Sequence, residues 1–307
     1  ITLQNFDGEI KAFVNICPHR FSIIRSKSKG NGILRCLYHG WTFDNSGKPY
    51  GIPMKKQLFN LNEKDTKKLS LKSIKTESCG SLIFVNLGSK KTLKDFLGKY
   101  YSEIEEISKS IGNEIKSNLY EWNANWKVCI ENTIDEYHVA SVHPETFNKV
   151  LGREIKYDFE KKNSGVKINC NKKFLEKWRP LEKKFSERLY KIEGYRHIFI
   201  YPLFTIATSL GTSFSLQVFN PMSESKTKIN SRIFSFKYSK SNKQKEIISA
   251  LDKSVENFNN EVFDEDKDVC EDVQNGLSKA SLFNSRGPLG LNEQRISHFH
   301  KTYLNKK

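Results

Sequence analysis

The segments CPHR at residues 17–20 and CLYHGW at residues 36–41 decide the fold of the first part of the chain. Each segment offers one thiol and one imidazole, and 16 residues separate the histidine of the first from the cysteine of the second. Two such arms on adjacent loop tips can place two sulfurs on one iron and two nitrogens on another. The spacing therefore predicts a two-iron cluster whose ligands are Cys17, His19, Cys36 and His39.

Zinc binding and chance are the two alternatives for these four residues. A zinc finger of the usual kind pairs cysteine with cysteine and histidine with histidine on each arm, which these segments do not do. Four unrelated residues in β turns would require a C-x-H and a C-x-x-H to arise together by accident. The mixed arms therefore favour the two-iron cluster.

A length of 307 residues suits two domains of ordinary size. Residues 1–88 read as short strands broken by turn signals such as the Asp-Gly pair at 7–8, and they close with the apolar run SLIFVNLG at 81–88. This pattern predicts an all-β domain over 1–88 and a second domain over 89–307. Because Ile1 opens inside a predicted strand and is not a methionine, we expect further residues upstream.

The second domain alternates between helical and strand-like patterns, which predicts an α+β fold with a sheet flanked by helices. The expected elements are helices near 92–116 and 121–143, a polar Lys-rich stretch at 153–188, strands at 195–208, 213–220 and 228–238, and a helix-rich end from about 241 to 279.

The formal charge is +16, and residues 1–90 hold 15 Lys/Arg against 6 Asp/Glu. Basic residues interleaved with stacking aromatics are missing, which argues against nucleic acid as a partner. The excess is either a solvated surface or a docking face for an acidic electron-donor protein. No run approaches the roughly 18 apolar residues of a membrane span. Six cysteines without a secreted-domain spacing indicate a reducing, cytoplasmic compartment.

A second constellation lies at 131–143, where the sequence reads ENTIDEYHVASVH. Asp135 and His138 are three residues apart, so on a helix they share a face. His143 precedes Pro144, which predicts that the helix ends there and that the chain turns His143 back toward the same point. Two histidines are thus expected to converge.

An iron site built from two histidines and one carboxylate would need an acid in addition to His138 and His143. Residues 264–272 contain six acids. At about 100° per residue, Asp266 is the acid that falls within about 60° of the centre of an apolar stripe. That stripe consists of Val269, Cys270, Val273 and Leu277. The other acids, expected to point sideways or outward, are Asp264, Glu265, Asp268, Glu271 and Asp272. A carboxylate on a core-facing stripe is costly unless it is paired or metal-bound, which favours Asp266 as the third ligand. The alternative is an Asp that supports the helix N-terminus.

These motifs resemble those of a known family. CPHR and CLYHGW match the CxHR and CxYHGW runs of Rieske domains in ring-hydroxylating and related oxygenases. ENTIDEYHVASVH looks like the mononuclear-iron motif of their catalytic domains, and DKDVCEDVQNGL at 266–277 looks like their later carboxylate helix. The chain thus resembles the catalytic (alpha) subunit of a Rieske non-haem iron oxygenase of the ring-hydroxylating and choline/carnitine monooxygenase-like family.

The resemblance implies a helix-grip (START-like) catalytic domain, a [2Fe-2S] cluster on the first four residues, and Fe(II) on His138, His143 and Asp266. It also implies a homotrimer in which Asp135 bridges His138 to His39 of the partner subunit. Electrons would come from NAD(P)H through a reductase or ferredoxin. O₂ would then be used to hydroxylate, dihydroxylate or demethylate a small aromatic or quaternary-amine-like substrate.

Two other classes of protein stay open. A pure Rieske electron-transfer protein would explain the first constellation alone, and a binding or scaffold protein would follow if the iron site had decayed. Asn132 falls near a family position that lines the iron site. His197 is expected in the sheet that lines the substrate pocket, whereas His298 and His300 are expected to be packing or surface residues.

Overall fold

The computed structural model describes residues 1–183, 190–238, 242–282 and 287–304. It divides into two compact units, Ile1–Phe96 and Leu97–Lys307. The division comes after Phe96, whereas the sequence placed the domain boundary after residue 88. The backbone N–H of Leu93 donates to Oε1 of Glu77 at 3.1 Å, which ties the segment after the last strand of the first unit back to that unit.

The first unit is built on an antiparallel sheet with the strand order β1-β2-β5-β6, and β3 pairs with β4. Its elements are β1 Thr2–Phe6, β2 Glu9–Phe13, β3 Thr42–Phe43, β4 Pro49–Gly51, α1 Lys55–Leu58, α2 Glu63–Lys68, β5 Ser73–Cys79, β6 Leu82–Asn86 and α3 Leu93–Leu97. The strands confirm the predicted β sheet, but the prediction that residues 1–88 are all-β is too strict, because they also contain α1 and α2. The turn signals of this region did not predict α1 or α2, although Asn62 caps α2 by accepting a hydrogen bond from the backbone N–H of Asp65 at 2.9 Å.

The second unit is built on a seven-stranded antiparallel sheet with the order β7-β13-β12-β11-β10-β9-β8. Its elements are α4 Tyr100–Ser110, β7 Ile111–Trp122, α5 Trp126–Thr133, α6 Val139–Val142, α7 Phe147–Val150, β8 Leu151–Glu160, β9 Asn163–Cys170, α8 Lys172–Glu182, β10 Tyr195–Ile200, β11 Phe204–Ser209, β12 Ser213–Ser223, β13 Lys226–Phe236, α9 Asn242–Leu277 and α10 Gln294–Leu304. The predicted α+β class, with an antiparallel sheet flanked by helices, is confirmed.

Several predicted boundaries in this unit are wrong. The helix predicted to reach residue 116 ends at Ser110, because Ile111 begins β7 and pairs with β13. The Lys-rich stretch forms β8, β9 and α8, and its residues 184–188 lie outside the described residues. Lysines on the outward face, such as Lys156 opposite Lys167, hid the two-residue alternation of these strands. The single run predicted at 195–208 is two strands, β10 and β11.

Helices cover both faces of the sheet. In β10, Phe199 packs with Phe299 of α10 on one face, and α5 and α9 contribute to the same core. On the opposite face Arg196 of β10 reaches Glu103 of α4. This alternation follows from the pleat, since neighbouring side chains of a strand point to opposite faces. Within the described ranges, no helix combines the length and the apolar character that crossing a bilayer requires.

Arg196 joins the sheet to α4 through buried charge. Its side chain is 2% exposed, Nη1 donates to Oδ2 of Asp158 at 2.6 Å, and Nη2 donates to Oε2 of Glu103 at 2.7 Å. Burial acts to raise the pKa of Asp158, but the hydrogen bonds from Arg196 and Tyr100 outweigh it and hold that pKa below its usual value. Asp158 therefore carries its charge at neutral pH, opposite the buried guanidinium of Arg196.

We predict that Arg196→Met lowers the free energy of unfolding by about 3–5 kcal/mol at neutral pH, because it leaves Glu103 and Asp158 without the guanidinium that bridges them. The matched control is Arg232→Met, whose exposed ion pair with Glu114 contributes less than about 1 kcal/mol. Because the pKa of Asp158 is depressed on folding, the difference between wild type and R196M should shrink as the pH falls from about 6 toward about 3. Urea unfolding followed by circular dichroism measures both effects, and equal losses in the two variants would contradict the prediction.

Candidate metal centres

The loops that carry the first constellation have the same backbone hydrogen bonds. In each loop the cysteine N–H donates to the carbonyl five residues later, and the cysteine carbonyl accepts from the N–H four residues later. The residues that supply these groups are Ser22 and Phe21 in the first loop, and Trp41 and Gly40 in the second. A β-bridge closes each loop, Ile16 with Ile23 and Arg35 with Thr42. Equivalent hydrogen bonding thus presents one thiol and one imidazole from each loop.

The four side chains of these loops meet, with the thiols inside and the imidazoles outside. Cys17 and Cys36 are buried beside one another, whereas His19 is half-buried and His39 is exposed. The two imidazole ring centroids are 4.6 Å apart. Trp41 stacks on the ring of His19 at 4.8 Å and limits its rotation. The structure therefore brings together all four residues that the sequence proposed.

The chemistry of this group fits an iron–sulfur cluster. Burial raises the pKa of the Cys17 thiol and the neighbouring Cys36 raises it further, so two thiolates here call for a cation between them. Burial and the charges of His39 and Arg20 lower the pKa of His19, which favours the neutral ring that binds a metal. Nδ1 of His19 is buried and has no hydrogen-bond partner in the part of the chain that the structure describes. Two sulfurs inside and two imidazole nitrogens outside match His₂Cys₂ ligation.

The second constellation also converges. Nε2 of His143 lies 3.2 Å from Nε2 of His138 and 3.1 Å from Oδ1 of Asp266. Nε2 of His138 lies 3.6 Å from the same carboxylate oxygen. The three potential ligand atoms lie within 4.8 Å of one another, which is the spacing that one metal ion can bridge. Two imidazoles and one carboxylate form the donor set of non-haem iron sites.

The one-turn helix α6 positions both histidines, since His138 immediately precedes it and His143 immediately follows it. The prediction that Asp135 and His138 share a helix face is wrong, because α5 ends at Thr133 and both residues lie in the connection to α6. Oδ1 of Asp135 accepts a hydrogen bond from the N–H of Tyr137 at 2.7 Å, a local turn that competes with helix formation. Oδ2 of Asp135 still lies 3.2 Å from Nδ1 of His138, at ion-pair distance but without hydrogen-bond alignment.

Helix α9 supplies the carboxylate of Asp266, but only part of the apolar stripe predicted for this helix is buried. Its buried residues include Phe263 and Cys270, and Asp266 lies between them at helical spacing on the same side. Val273 and Leu277, which were assigned to the core stripe, are 45% and 54% exposed. The predicted stripe reaches too far toward the C-terminus of α9. Its centre line nevertheless identifies Asp266 as the acid on the buried side.

Glu265 is the residue that the periodicity argument misjudged. It was expected to point away from the core, yet its Oε2 lies 2.6 Å from Nδ1 of His143 and accepts a hydrogen bond from the Thr146 hydroxyl at 2.9 Å. Both ring nitrogens of His143 therefore face carboxylates of consecutive residues on α9. No pattern in the sequence of α9 indicates this, because it depends on where the His143 ring lies.

These carboxylates create a field that suits a cation. Burial acts to lower the pKa of His143, but its contacts with Asp266 and Glu265 outweigh burial and raise it. The same field that favours an imidazolium stabilises a divalent cation. Glu265 can also fix the ring tautomer, so that Nε2 keeps its lone pair for a metal. The donor set therefore fits a mononuclear iron.

A cavity of about 140 Å³ adjoins this site. Its aromatic wall includes Trp122, Phe147, Tyr195, Phe214, Phe219 and Phe258. Asn132 and His197 also line it, as the family resemblance implied for their positions. The other two histidines lie elsewhere: the ring of His298 contacts Phe159, and His300 lies 2.9 Å from Glu131.

Comparison with known proteins agrees with both centres. Residues 1–70 match the Rieske [2Fe-2S] domain, and residues 113–306 match the ring hydroxylating alpha subunit (catalytic domain). The chain belongs to the family of ring-hydroxylating oxygenase alpha subunits. The resemblance read from the sequence motifs is thereby confirmed.

The relatives of this chain include proteins named for a quaternary amine and proteins named for an aromatic compound. The chain is 27% identical to the chloroplastic choline monooxygenase of Beta vulgaris over 95% of its own length, but spans only 63% of that protein. It is 34% identical to the alpha subunit of toluate 1,2-dioxygenase of Pseudomonas putida over 46% of this chain and 33% of that one.

Solved structures share the fold. The quaternary ammonium Rieske monooxygenase CntA in complex with L-carnitine superimposes with a TM-score of 0.70 at 20% identity, over 97% of this chain and 78% of that one. Naphthalene 1,2-dioxygenase from Rhodococcus sp. gives a TM-score of 0.72 at 18% identity, over 97% and 80% of the two chains.

We predict that Glu265→Gln weakens iron binding by about 10–100-fold, because an amide orients the His143 ring less firmly than a carboxylate does. Asp268→Asn, an exposed acid on the same helix, is the matched control and should leave iron affinity unchanged. Competition against a chromogenic chelator measures the affinity. An unchanged affinity in E265Q would show that Glu265 does not support the site.

Proposed function

We propose that this chain is the oxygenase component of a Rieske-type monooxygenase or dioxygenase. The observation that carries the proposal is the convergence of His138, His143 and Asp266 within 4.8 Å beside a cavity, in a chain that also carries the paired cysteine–histidine loops. An electron-transfer protein would have no use for this second donor set or for the cavity. We therefore favour the oxygenase over the electron carrier.

Each residue has a distinct role in this proposal. Cys17 and Cys36 would hold the inner iron of a [2Fe-2S] cluster, and His19 and His39 would hold the outer one. His138, His143 and Asp266, which line the cavity, would hold Fe(II). When bound, the cluster supplies single electrons and the mononuclear iron activates O₂. Glu265 would orient His143 by accepting its Nδ1 proton, and Asp135 lies at ion-pair distance from Nδ1 of His138.

We place the electron path across a subunit interface of a homotrimer. His39 is exposed and Asp135 is only partly buried, so the imidazole of one subunit and the carboxylate of the next can approach one another. Asp135 would then link His138 to His39 of the partner subunit. A quaternary ammonium Rieske monooxygenase whose structure shares this fold uses inter-subunit electron transfer. A reductase or ferredoxin using NAD(P)H would load the cluster, in a reducing, cytoplasmic compartment.

The cavity suits a small cation better than an anion. Its aromatic wall offers π faces to an ammonium group. Around the site, the charges of Fe(II) and Arg295 face four carboxylates, those of Asp135, Glu136, Glu265 and Asp266. This balance gives no surplus positive charge to hold a substrate whose net charge is negative. Of the two substrate classes, aromatic compounds and quaternary amines, we therefore favour a small quaternary amine, the class to which choline and carnitine belong.

Iron analysis combined with O₂ uptake tests the proposal. An oxygenase should contain about three irons per chain and consume O₂ with a surrogate reductase and a substrate such as choline. About two irons per chain, with a cluster that still exchanges electrons, would indicate an electron carrier. Two irons with no O₂ consumption would indicate a scaffold protein.

His143→Ala should lose about one iron per chain while its cluster absorbance stays intact.

We also predict that Asp135→Asn lowers substrate-dependent O₂ uptake by about 10–100-fold at unchanged iron content, because it removes the charge that would link His138 to His39 of the partner subunit. The matched control is Glu145→Gln, an exposed acid in the same segment, which should behave as the wild type. Full activity in D135N would remove Asp135 from the proposed electron path.

A further inference from the structure

His197 is a buried polar residue in the wall of the cavity, and neither proposed metal centre uses it. It lies on β10, is 3% exposed, and faces the same side of the sheet as Tyr195. Its cross-strand neighbour on β11 is Ala207, and the next residue in that row is Ser215. These small neighbours leave room in the cavity beside the imidazole.

Arg295 fixes the protonation of this imidazole. Nη2 of Arg295 lies 2.8 Å from Nδ1 of His197, and a guanidinium can only donate hydrogen bonds. Nδ1 must therefore be the unprotonated acceptor, which puts the ring proton on Nε2. Burial and the charges of Arg295 and Arg196 lower the pKa of His197 well below its usual value, so the ring stays neutral.

The arginine itself cannot turn away. Nη1 of Arg295 donates to Oε1 of Glu136 at 2.8 Å, and Nε donates to the Ser164 hydroxyl at 3.3 Å. All three contacts lie in the interior, since the Arg295 side chain is fully buried. The tautomer and the orientation of His197 are thus set by a braced guanidinium.

The remaining ring nitrogen has an unused donor. Among the described residues, Nε2 of His197 has no hydrogen-bond partner, although it is buried. The side-chain amide nitrogen of Asn132 is likewise buried, lines the same cavity and lacks a partner in the described ranges. Buried donors without partners are rare in folded proteins and call for a ligand.

We propose that His197 is a substrate-positioning residue whose Nε2–H donates a hydrogen bond to an oxygen atom of the substrate. The substrate is then a small molecule with a hydroxyl or carboxylate oxygen at one end, and its opposite end is directed to the iron. This inference rests on the proposed oxygenase function and adds a recognition element to its cavity. His197 does not touch the reacting atoms; it acts by orienting them.

The experiment compares three oxygen-bearing probes with analogues in which a methyl group replaces the oxygen function. The pairs are choline with propyltrimethylammonium, glycine betaine with ethyltrimethylammonium, and benzoate with toluene. Binding to the protein loaded with iron and cluster is measured by calorimetry without O₂ or reductant, so it does not depend on turnover. For at least one pair the wild type should prefer the oxygen-bearing member by about tenfold, the effect of one buried hydrogen bond. The pair that discriminates tells a hydroxyl from a carboxylate.

Variants of His197 assign the preference to this residue. His197→Phe should abolish it without weakening the methyl analogue, whereas His197→Gln, which can accept from Arg295 and donate into the cavity, should restore most of it. His298→Phe, a histidine outside the cavity, is the matched control and should keep the preference. Cluster absorbance and iron content report whether each variant is folded.

The inference is overturned if the two members of every pair bind with equal affinity, or if none of the three oxygen-bearing probes binds. Both results count even if His197→Phe fails to fold. A preference that persists in H197F also overturns it. The oxygenase proposal fails on a different result, the absence of O₂ uptake, so the two failures can be told apart.

Discussion

The carboxylate of Asp266, partly buried next to two imidazoles, is the constraint that governs the second unit. His143 is 1% exposed, and both of its ring nitrogens face acids. Two carboxylates this close to one another are unfavourable in the interior unless positive charge lies between them. A divalent cation held by His138, His143 and Asp266 would supply that charge. The arrangement of α6 and α9 therefore makes sense as a support for a cation.

A single helix controls the orientation of the His143 ring. Glu265 and Asp266 are consecutive, so their side chains leave α9 about 100° apart. They nevertheless reach the same imidazole, because its two nitrogens lie on different edges of the ring and the ring sits between the two side chains. Helical periodicity could identify Asp266, whose neighbours Phe263 and Cys270 are buried. It could not identify Glu265, since that contact depends on a ring supplied by a segment more than 120 residues earlier in the chain.

The features that could be predicted from the sequence are those that local interactions determine. The cluster loops were predicted residue by residue, because hydrogen bonds within six residues of each cysteine shape them. The convergence of His138 and His143 was also predicted, although the Asp135 turn that interrupts the helix was not. The strand β7 was mistaken for helix because its pairing with β13 joins residues more than 100 positions apart. Local propensity is a weak guide where such distant pairing decides the structure.

Two buried arginines of the second unit, Arg196 and Arg295, act on opposite faces of strand β10. Arg196 contributes to stability, and Arg295 contributes to the proposed substrate recognition. Arg196 and His197 are adjacent in β10 and point to opposite faces of the sheet. On one face the guanidinium of Arg196 is saturated by Glu103 and Asp158. On the other face Arg295 divides its donors between a carboxylate, a hydroxyl and the His197 ring. Because the first network holds β10 against α4, the second can present an imidazole to the cavity without the strand shifting, as a preorganised site requires.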